Sequence, residues 1–325
     1  MKLINRNQLF VASCLALLVT SLSFGVRAGI LDRLGVQFHL NGSQLATITG
    51  TAFWGFPLAI IIGGMLVDVI GMKRFLIIAF ILHLLGIILT IFAQGYWSLF
   101  LSTLFIGLGN GSVEAACNPL VTSLFTNNKT TKLNHFHLWF PGGIVIGTLL
   151  VFALDKIHLS GSINMWQIEV GLMLIPTLLY GYLFSKLSFP VTERVAAGVS
   201  TSEMYRSLLN PLFFFMILCM FGTAITELFT NQWTDVLFKT VTNNALLILT
   251  FVAGVQTLGR AFAGPIVHKL SSQGVLLVSA ILSALGIYLL VNLHGAGVFA
   301  GAIIFGLGVA FFWPCMLGFV SEYLP

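Results

Sequence analysis

Three charged side chains stand inside long apolar stretches of this sequence: Arg27, Glu114 and Glu227. A charge at the centre of a membrane-spanning helix costs about 2.5–3.5 kcal/mol on insertion scales, so such a residue faces a cavity, a partner or a substrate. Arg27 follows Thr20 and Ser23 at spacings of seven and four, which puts the three on one helix face as a polar stripe. Glu114 has Asn118 at i+4, and Pro119 frees a backbone carbonyl one turn earlier. A buried carboxyl in that setting can take up and release a proton. Glu227 has Asn231 at i+4, with Gln232 and Trp233 beside it. Each charge also has a plainer reading: a snorkelling Arg27, a protonated interhelical hydrogen bond at Glu114, and an interfacial Glu227 next to a belt tryptophan.

His135 and His137 lie beside Asn134 and Trp139 at the start of another apolar stretch, where His137 can reach a cavity or serve a structural role. Two polar turns follow apolar runs. One is Gly64-Met65-Leu66-Val67-Asp68-Val69-Ile70-Gly71-Met72-Lys73-Arg74, and the other is Gly259-Arg260-Ala261-Phe262-Ala263-Gly264. Asp68 is expected to cap a helix or pair across a gate, and not to touch a substrate. The cysteines Cys14, Cys117, Cys219 and Cys315 all fall in apolar runs without metal-ligand spacing, which argues against disulfides and zinc. No Ser/His/Asp set, HExxH or paired carboxylates on one helix face point to an enzyme, and no cofactor is expected.

The elements that must position these side chains are helices in a bilayer. Of 325 residues, 58% are hydrophobic and 8% charged, against about 25% charged in soluble domains. Apolar stretches occupy residues 9–31, 45–67, 75–94, 97–125, 134–155, 165–187, 208–233, 244–268, 274–293 and 296–320. About 20 residues at about 1.5 Å rise cross a hydrocarbon core of about 30 Å, so the sequence predicts about ten transmembrane helices. Residues 1–28 share features with a secretory signal, but the apolar run continues to Leu31 and reads as a span. The polar stretch from Phe189 to Ser207 divides the chain into a first bundle (1–190), a linker (191–207) and a second bundle (208–325).

The net charge of +5 is scattered over short connections rather than gathered in a stripe, which excludes a nucleic-acid partner and leaves a topology signal. With the N-terminus cytoplasmic, that side holds Lys2, Arg6, Lys73, Arg74, Lys129, Lys132, Lys186, Arg194, Arg206 and Lys269. The other side holds Arg33, Lys156 and Lys239. Positive charge is retained inside, so the N-terminus is expected in the cytoplasm.

The halves also repeat. Ile106-Gly107-Leu108-Gly109 matches Phe305-Gly306-Leu307-Gly308 at an offset of 199, and Gly63-Gly64 matches Ala263-Gly264 at 200. A duplicated six-helix unit would place two more helices after Pro325, so the last two are expected to be missing. Ordinary small-residue helix contacts are the competing explanation. The same offset maps Arg27 onto Glu227 and Glu114 onto Trp313. An arginine, two carboxyls, amides and an indole suit a polyol, whose hydroxyls bond the polar groups while its ring lies on the aromatic face. Arg27 would also accept an anion.

The turn containing Gly64, Leu66, Asp68, Gly71, Lys73 and Arg74 resembles the G-x-L-x-D-x-x-G-x-K/R-R/K loop of the major facilitator superfamily. That resemblance implies an all-α membrane protein of two six-helix bundles. Glu114-Ala115-Ala116-Cys117-Asn118-Pro119-Leu120-Val121 is similar to the fourth-helix signature of the fucose permease group of sugar:proton symporters. It implies a protonatable, substrate-facing Glu114 with Asn118 beside the sugar, and places His137 where that group has a sugar-binding glutamine. The first helix departs from the group, with Gly29 near the place of its aspartate and Arg27 a half-turn earlier.

The reading is therefore a monomeric transporter of the bacterial inner membrane, carrying a small polar solute, foremost a sugar, by proton-coupled alternating access. Its partners would be the lipid bilayer, the solute and protons. Substrate-binding positions are Arg27, Glu114, Asn118, His137, Glu227, Asn231, Gln232 and Trp313, and gating positions are Gly64, Asp68, Gly71, Lys73, Arg74 and Arg260. The alternatives are an organic-anion transporter, a transporter-like solute sensor, and a non-transporting fragment.

Overall fold

The computed structural model describes residues 4–155, 157, 163–207, 209–238 and 245–323, with the side chains of residues 205, 207, 228–238, 245, 246 and 248 outside the description. Among the described residues there are helices and no strands. In order they are α1 (Arg6–Gln37), α2 (Gly42–Ile70), α3 (Met72–Ile91), α4 (Tyr96–Leu124), α5 (Lys129–His137), α6 (Trp139–Leu154), α7 (Met165–Gly171), α8 (Leu174–Lys186), α9 (Glu193–Ala196), α10 (Thr201–Ser207), α11 (Pro211–Phe238), α12 (Ala245–Ala261), α13 (Ala263–Asn292), α14 (Gly297–Val309) and α15 (Phe312–Tyr323). Each of the ten apolar stretches read from the sequence overlaps one or two of these helices. Eight of the helical segments, counting α5 with α6, α7 with α8 and α14 with α15, are long and apolar enough to cross a membrane.

The boundaries differ from the sequence reading where polar residues continue a helix beyond its apolar part. Residues 32–37, expected as the start of a loop, extend α1 to Gln37. The connection to α2 shrinks to four residues and ends at a capping box of Asn41 with Gln44. The loop expected between residues 268 and 274 is reduced to a kink in α13 at Ser271, which has φ 60° and ψ 168°.

Three membrane-length helices are interrupted for a reason visible in the sequence, α7 giving way to α8 four residues before Pro176 at Leu172. Proline has no N–H and its ring crowds the carbonyl four residues earlier. Pro141 stands four residues after His137, where α5 gives way to α6, and Pro314 stands four after Ala310, where α14 gives way to α15.

The chain forms two compact units. The first comprises Met1–Leu124 with Ile146–Thr192, and the second Phe125–Val145 with Glu193–Pro325. In the first, α4 packs against α1, α2 and α3; in the second, α14 packs against α12 and α13.

Glycines permit those contacts at corresponding places. A Cβ on Gly107 would meet the Ala52 backbone, and one on Gly306 would meet Val255 and the Val252 carbonyl. Gly86 lies against the backbone of Ile106, and Gly286 against that of Phe305. Gly109 admits the His83 ring, and Gly308 admits Ser283. Each pair recurs at an offset of 199 or 200. Small-residue contact and internal repeat are thus one feature: each unit uses the same positions for close helix approach.

Candidate functional site

Arg27 is half-buried on α1, and Nη2 donates to the Ser23 carbonyl at 3.3 Å. Its Nη1 is buried and has no acceptor among the described residues. The guanidinium carbon lies 5.3 Å from the centre of the Phe24 ring, a cation–π contact. Buried guanidinium donors are ordinarily paired, because a lost hydrogen bond to a charged group is expensive in an apolar medium.

One turn before Arg27, Ser23 joins a buried network spanning four helices. Asn110 Nδ2 on α4 donates to Ser23 Oγ at 3.1 Å, and Ser23 Oγ donates to the Thr20 carbonyl at 2.6 Å. The amide oxygen of Asn110 faces His83 Nε2 on α3 at 2.9 Å, and His83 Nδ1 faces the Tyr180 hydroxyl on α8 at 2.9 Å. His83, Asn110 and Tyr180 are fully buried. With the Asn110 amine turned to Ser23, its oxygen requires a proton on Nε2, and Nδ1 then accepts from Tyr180. A neutral ring satisfies every bond in the network. His83, Asn110 and Tyr180 were not singled out from the sequence; the usable signal was a lone His and a lone Asn in apolar helices, each needing a partner.

Glu114 is buried on α4. Asn118 Nδ2 donates to Glu114 Oε2 at 2.8 Å and to the Glu114 carbonyl at 2.9 Å, so the expected i+4 pair forms. The Ser23–Asn110 contact fixes the register of α1 and α4. Arg27 lies one turn to one side of it and Glu114 one turn to the other. In an antiparallel pair that is about 12 Å along the axis between their Cα atoms.

In the second unit, Arg260 on α12 is buried and uses both proline-freed carbonyls. Its Nε donates to the Ala310 carbonyl at 2.6 Å, and its Nη1 donates to the His137 carbonyl at 2.8 Å. Its Nη2 lies 3.8 Å from Glu227 Oε1 on α11. Pro314 and Pro141 deprive these carbonyls of their helical donors, and the guanidinium fork supplies replacements. Arg260, placed with the gating turn in the sequence reading, is thus an interior brace that also faces Glu227. One turn before it, Gln256 is buried and its Nε2 has no acceptor among the described residues, a second such donor that the sequence did not single out.

The remaining positions are distributed as follows. The His137 ring is buried and lies edge-on to Phe136, with centroids 4.8 Å apart. Trp313 is half-buried on α15. Asn231 and Gln232 lie on α11, with side chains outside the described residues. At the first polar turn, Gly71 takes φ 85° between α2 and α3, a conformation glycine adopts without strain. Asp68 accepts from Thr192, while Lys73 donates to the Ser185 and Leu187 carbonyls at the end of α8 at 2.8 and 2.9 Å. Gly64 and Arg74 are exposed. The first unit also holds a buried carboxylate missed in the sequence: Glu169 on α7 receives Arg33 Nη2 at 2.5 Å and Nη1 at 3.2 Å. Asp155 adds a looser contact to Arg33 at 3.5 Å. Among the described residues no three or more His, Cys, Asp or Glu side chains gather into a metal site.

Comparison with known proteins gives these helices a family. Residues 13–325 match the sequence profile of the Major Facilitator Superfamily. Facilitated glucose transporter member 10 of solute carrier family 2 from Danio rerio is 24% identical over 167 residues, covering 51% of this chain and 32% of that protein. Myo-inositol transporter 1 of Candida albicans is 24% identical over 206 residues, covering 61% and 36%. The chain therefore matches about a third of the length of these relatives. The crystal structure of the E. coli fucose:proton symporter superposes with a TM-score of 0.76 at 17% identity, covering 97% of this chain and 84% of that one. The profile match over nearly the whole chain, on this helical architecture, establishes that the protein belongs to the Major Facilitator Superfamily, a family of membrane transporters.

Proposed function

We propose that this chain carries a small polar solute, foremost a sugar or polyol, across a bilayer by proton-coupled alternating access. The observation that supports the reading is Arg27 Nη1, a buried cationic donor in an apolar helix with no acceptor among the described residues. An interior donor of that kind is suited to a ligand that brings its own oxygen atoms. Gln256 Nε2 is a second donor of the same character, in the other unit. The solutes of the related transporters, glucose, myo-inositol and fucose, are all polyhydroxylic and support the same solute class.

Glu114 is the proton-coupling group in this reading. Asn118 holds its carboxylate from the same helix, so gain and loss of a proton at Oε1 or Oε2 changes a charge without moving the backbone. Arg27 acts on the solute, since the register of α1 and α4 separates it from Glu114 by two helical turns. Glu227 and Arg260 serve the second unit. The N-terminus is cytoplasmic in the inner membrane, the protein works as a monomer, and it performs no chemistry on its solute.

The orphaned guanidinium nitrogen of Arg27 also favours a second reading, an organic anion as cargo. Uptake of labelled sugars, polyols and sugar acids into proteoliposomes under an imposed proton gradient separates the two. Neutral sugars accumulate under the first reading, and only carboxylates under the second. A protein that binds solute but moves none is a sensor, and both transport readings then fail.

A further inference from the structure

An apolar groove of about 320 Å³ opens in the second unit between the end of α12, the two sides of the α13 kink and α14. Leu258, Phe262 and Leu270 line one wall, and Val278, Leu282 and Leu307 the other. Leu258, Phe262, Leu270 and Val278 are exposed. In a membrane-spanning chain such an exposed surface meets lipid tails. This one differs from a flat lipid-facing helix in being recessed, and the exposed His268 and Lys269 directly precede Leu270 of its lining.

The dimensions select the occupant. Leu270 to Leu258 is a span of about 18 Å along a helical path at about 1.5 Å per residue. One leaflet of a hydrocarbon core of about 30 Å is about 15 Å deep. The segment that lines the groove thus has the length of a single acyl chain running from the interface toward the midplane. At the Leu270 end, His268 and Lys269 are exposed immediately before the Ser271 kink, where a lipid headgroup would lie.

From this geometry we infer that the groove is a binding site for an anionic phospholipid, one acyl chain lying between α12, α13 and α14 and the phosphate held at Lys269. The site borders the Arg260 brace: Gly259 and Phe311 line it, and each is the chain neighbour of a residue in the Arg260–Ala310 hydrogen bond. An occupying chain therefore touches both helices that this bond joins.

The test uses the full chain in proteoliposomes containing either phosphatidylglycerol or phosphatidylcholine with a photoactivatable diazirine in the acyl chain. Crosslinked peptides are then mapped by mass spectrometry. Labelling is expected to concentrate on residues 258–282 over the exposed α3 residues Ile78, Ile81 and Leu85. Phosphatidylglycerol should be preferred about five-fold, the factor one ammonium near the headgroup supplies. Lys269→Gln should remove that preference, and Val278→Trp, which fills the groove from an exposed position, should remove the labelling. Equal labelling of α3 and the groove, a phosphatidylglycerol preference that survives Lys269→Gln, groove labelling that survives Val278→Trp, or crosslinks to a second copy of the chain in place of lipid would each overturn the assignment.

Discussion

Arg260 Nε donates to the carbonyl oxygen of Ala310 at 2.6 Å, and Pro314 is the reason that oxygen is available. The same guanidinium reaches the His137 carbonyl, which Pro141 has freed in the same way. The helix breaks at Pro141 and Pro314 are thereby joined through one buried side chain that also faces Glu227.

Arg260→Ala should destabilise the protein by about 3–5 kcal/mol, because it takes the partner from a partly buried carboxylate and from two carbonyls. Arg260→Lys should recover only part of this, since one ammonium lacks the planar fork. Pro314→Ala restores a donor to Ala310, so the Arg260→Lys penalty should shrink when the two are combined. Thermal unfolding in detergent measures the cycle, and strict additivity would contradict the proline account.

Asn110→Ala should cost about 1–3 kcal/mol, because it strands the His83 Nε2 donor, while Ser23 Oγ keeps its bond to the Thr20 carbonyl. Asn110→Leu should be no better, as it fills the space without supplying an acceptor. Loss of folded protein in both variants, with a milder loss in Tyr180→Phe, is the expected order.

Gly109→Ala and Gly308→Ala should both lower the melting temperature, because each new Cβ meets Ser283 or His83 across a close helix contact. Gly64→Ala has open space around it and should leave stability unchanged or raise it by about 0.5–1 kcal/mol. Equal effects at all three positions would argue against glycine-mediated contact in the repeat.

The start of α10 should respond to acid. The Glu203 carboxylate accepts the Ser200 backbone N–H at 2.8 Å, and that bond holds its pKa below the ordinary 4.5. A depressed acid contributes its stabilisation above the unfolded value and loses it as pH falls through the folded one. Amide protection at residues 200–204 should thus persist from neutrality to about pH 5, relative to intrinsic exchange, and fall below 4.5. Glu203→Gln should weaken protection at neutral pH and abolish the acid step.

The helices were legible because a bilayer imposes a length: an apolar run of about 20 residues has few other structures open to it. Their ends were less so, since Asp32 and Arg33 look like loop residues until Glu169 supplies a partner for Arg33 from α7. The glycine repeat was readable as spacing, but its cause needed the neighbours, such as His83 against Gly109. Glu114 with Asn118 could be seen because both partners sit on one helix. Arg260 with Ala310 and His83 with Tyr180 could not, because their partners are distant in sequence and differ in type. Pro141 and Pro314 were the unused signal: each marks a carbonyl in want of a donor, four residues back.

Proton-gradient-driven uptake by proteoliposomes is the most direct test of the central claim, with wild type, Arg27→Gln and Glu114→Gln compared on a panel of labelled sugars, polyols and sugar acids. The account predicts that wild type accumulates at least one neutral polyhydroxylic solute above equilibrium. Glu114→Gln should exchange that solute without accumulating it, and Arg27→Gln should lose affinity for it by ten-fold or more. Full accumulation by Glu114→Gln, or unchanged affinity in Arg27→Gln, would contradict the roles given to these residues, and absence of flux for every solute would contradict transport itself.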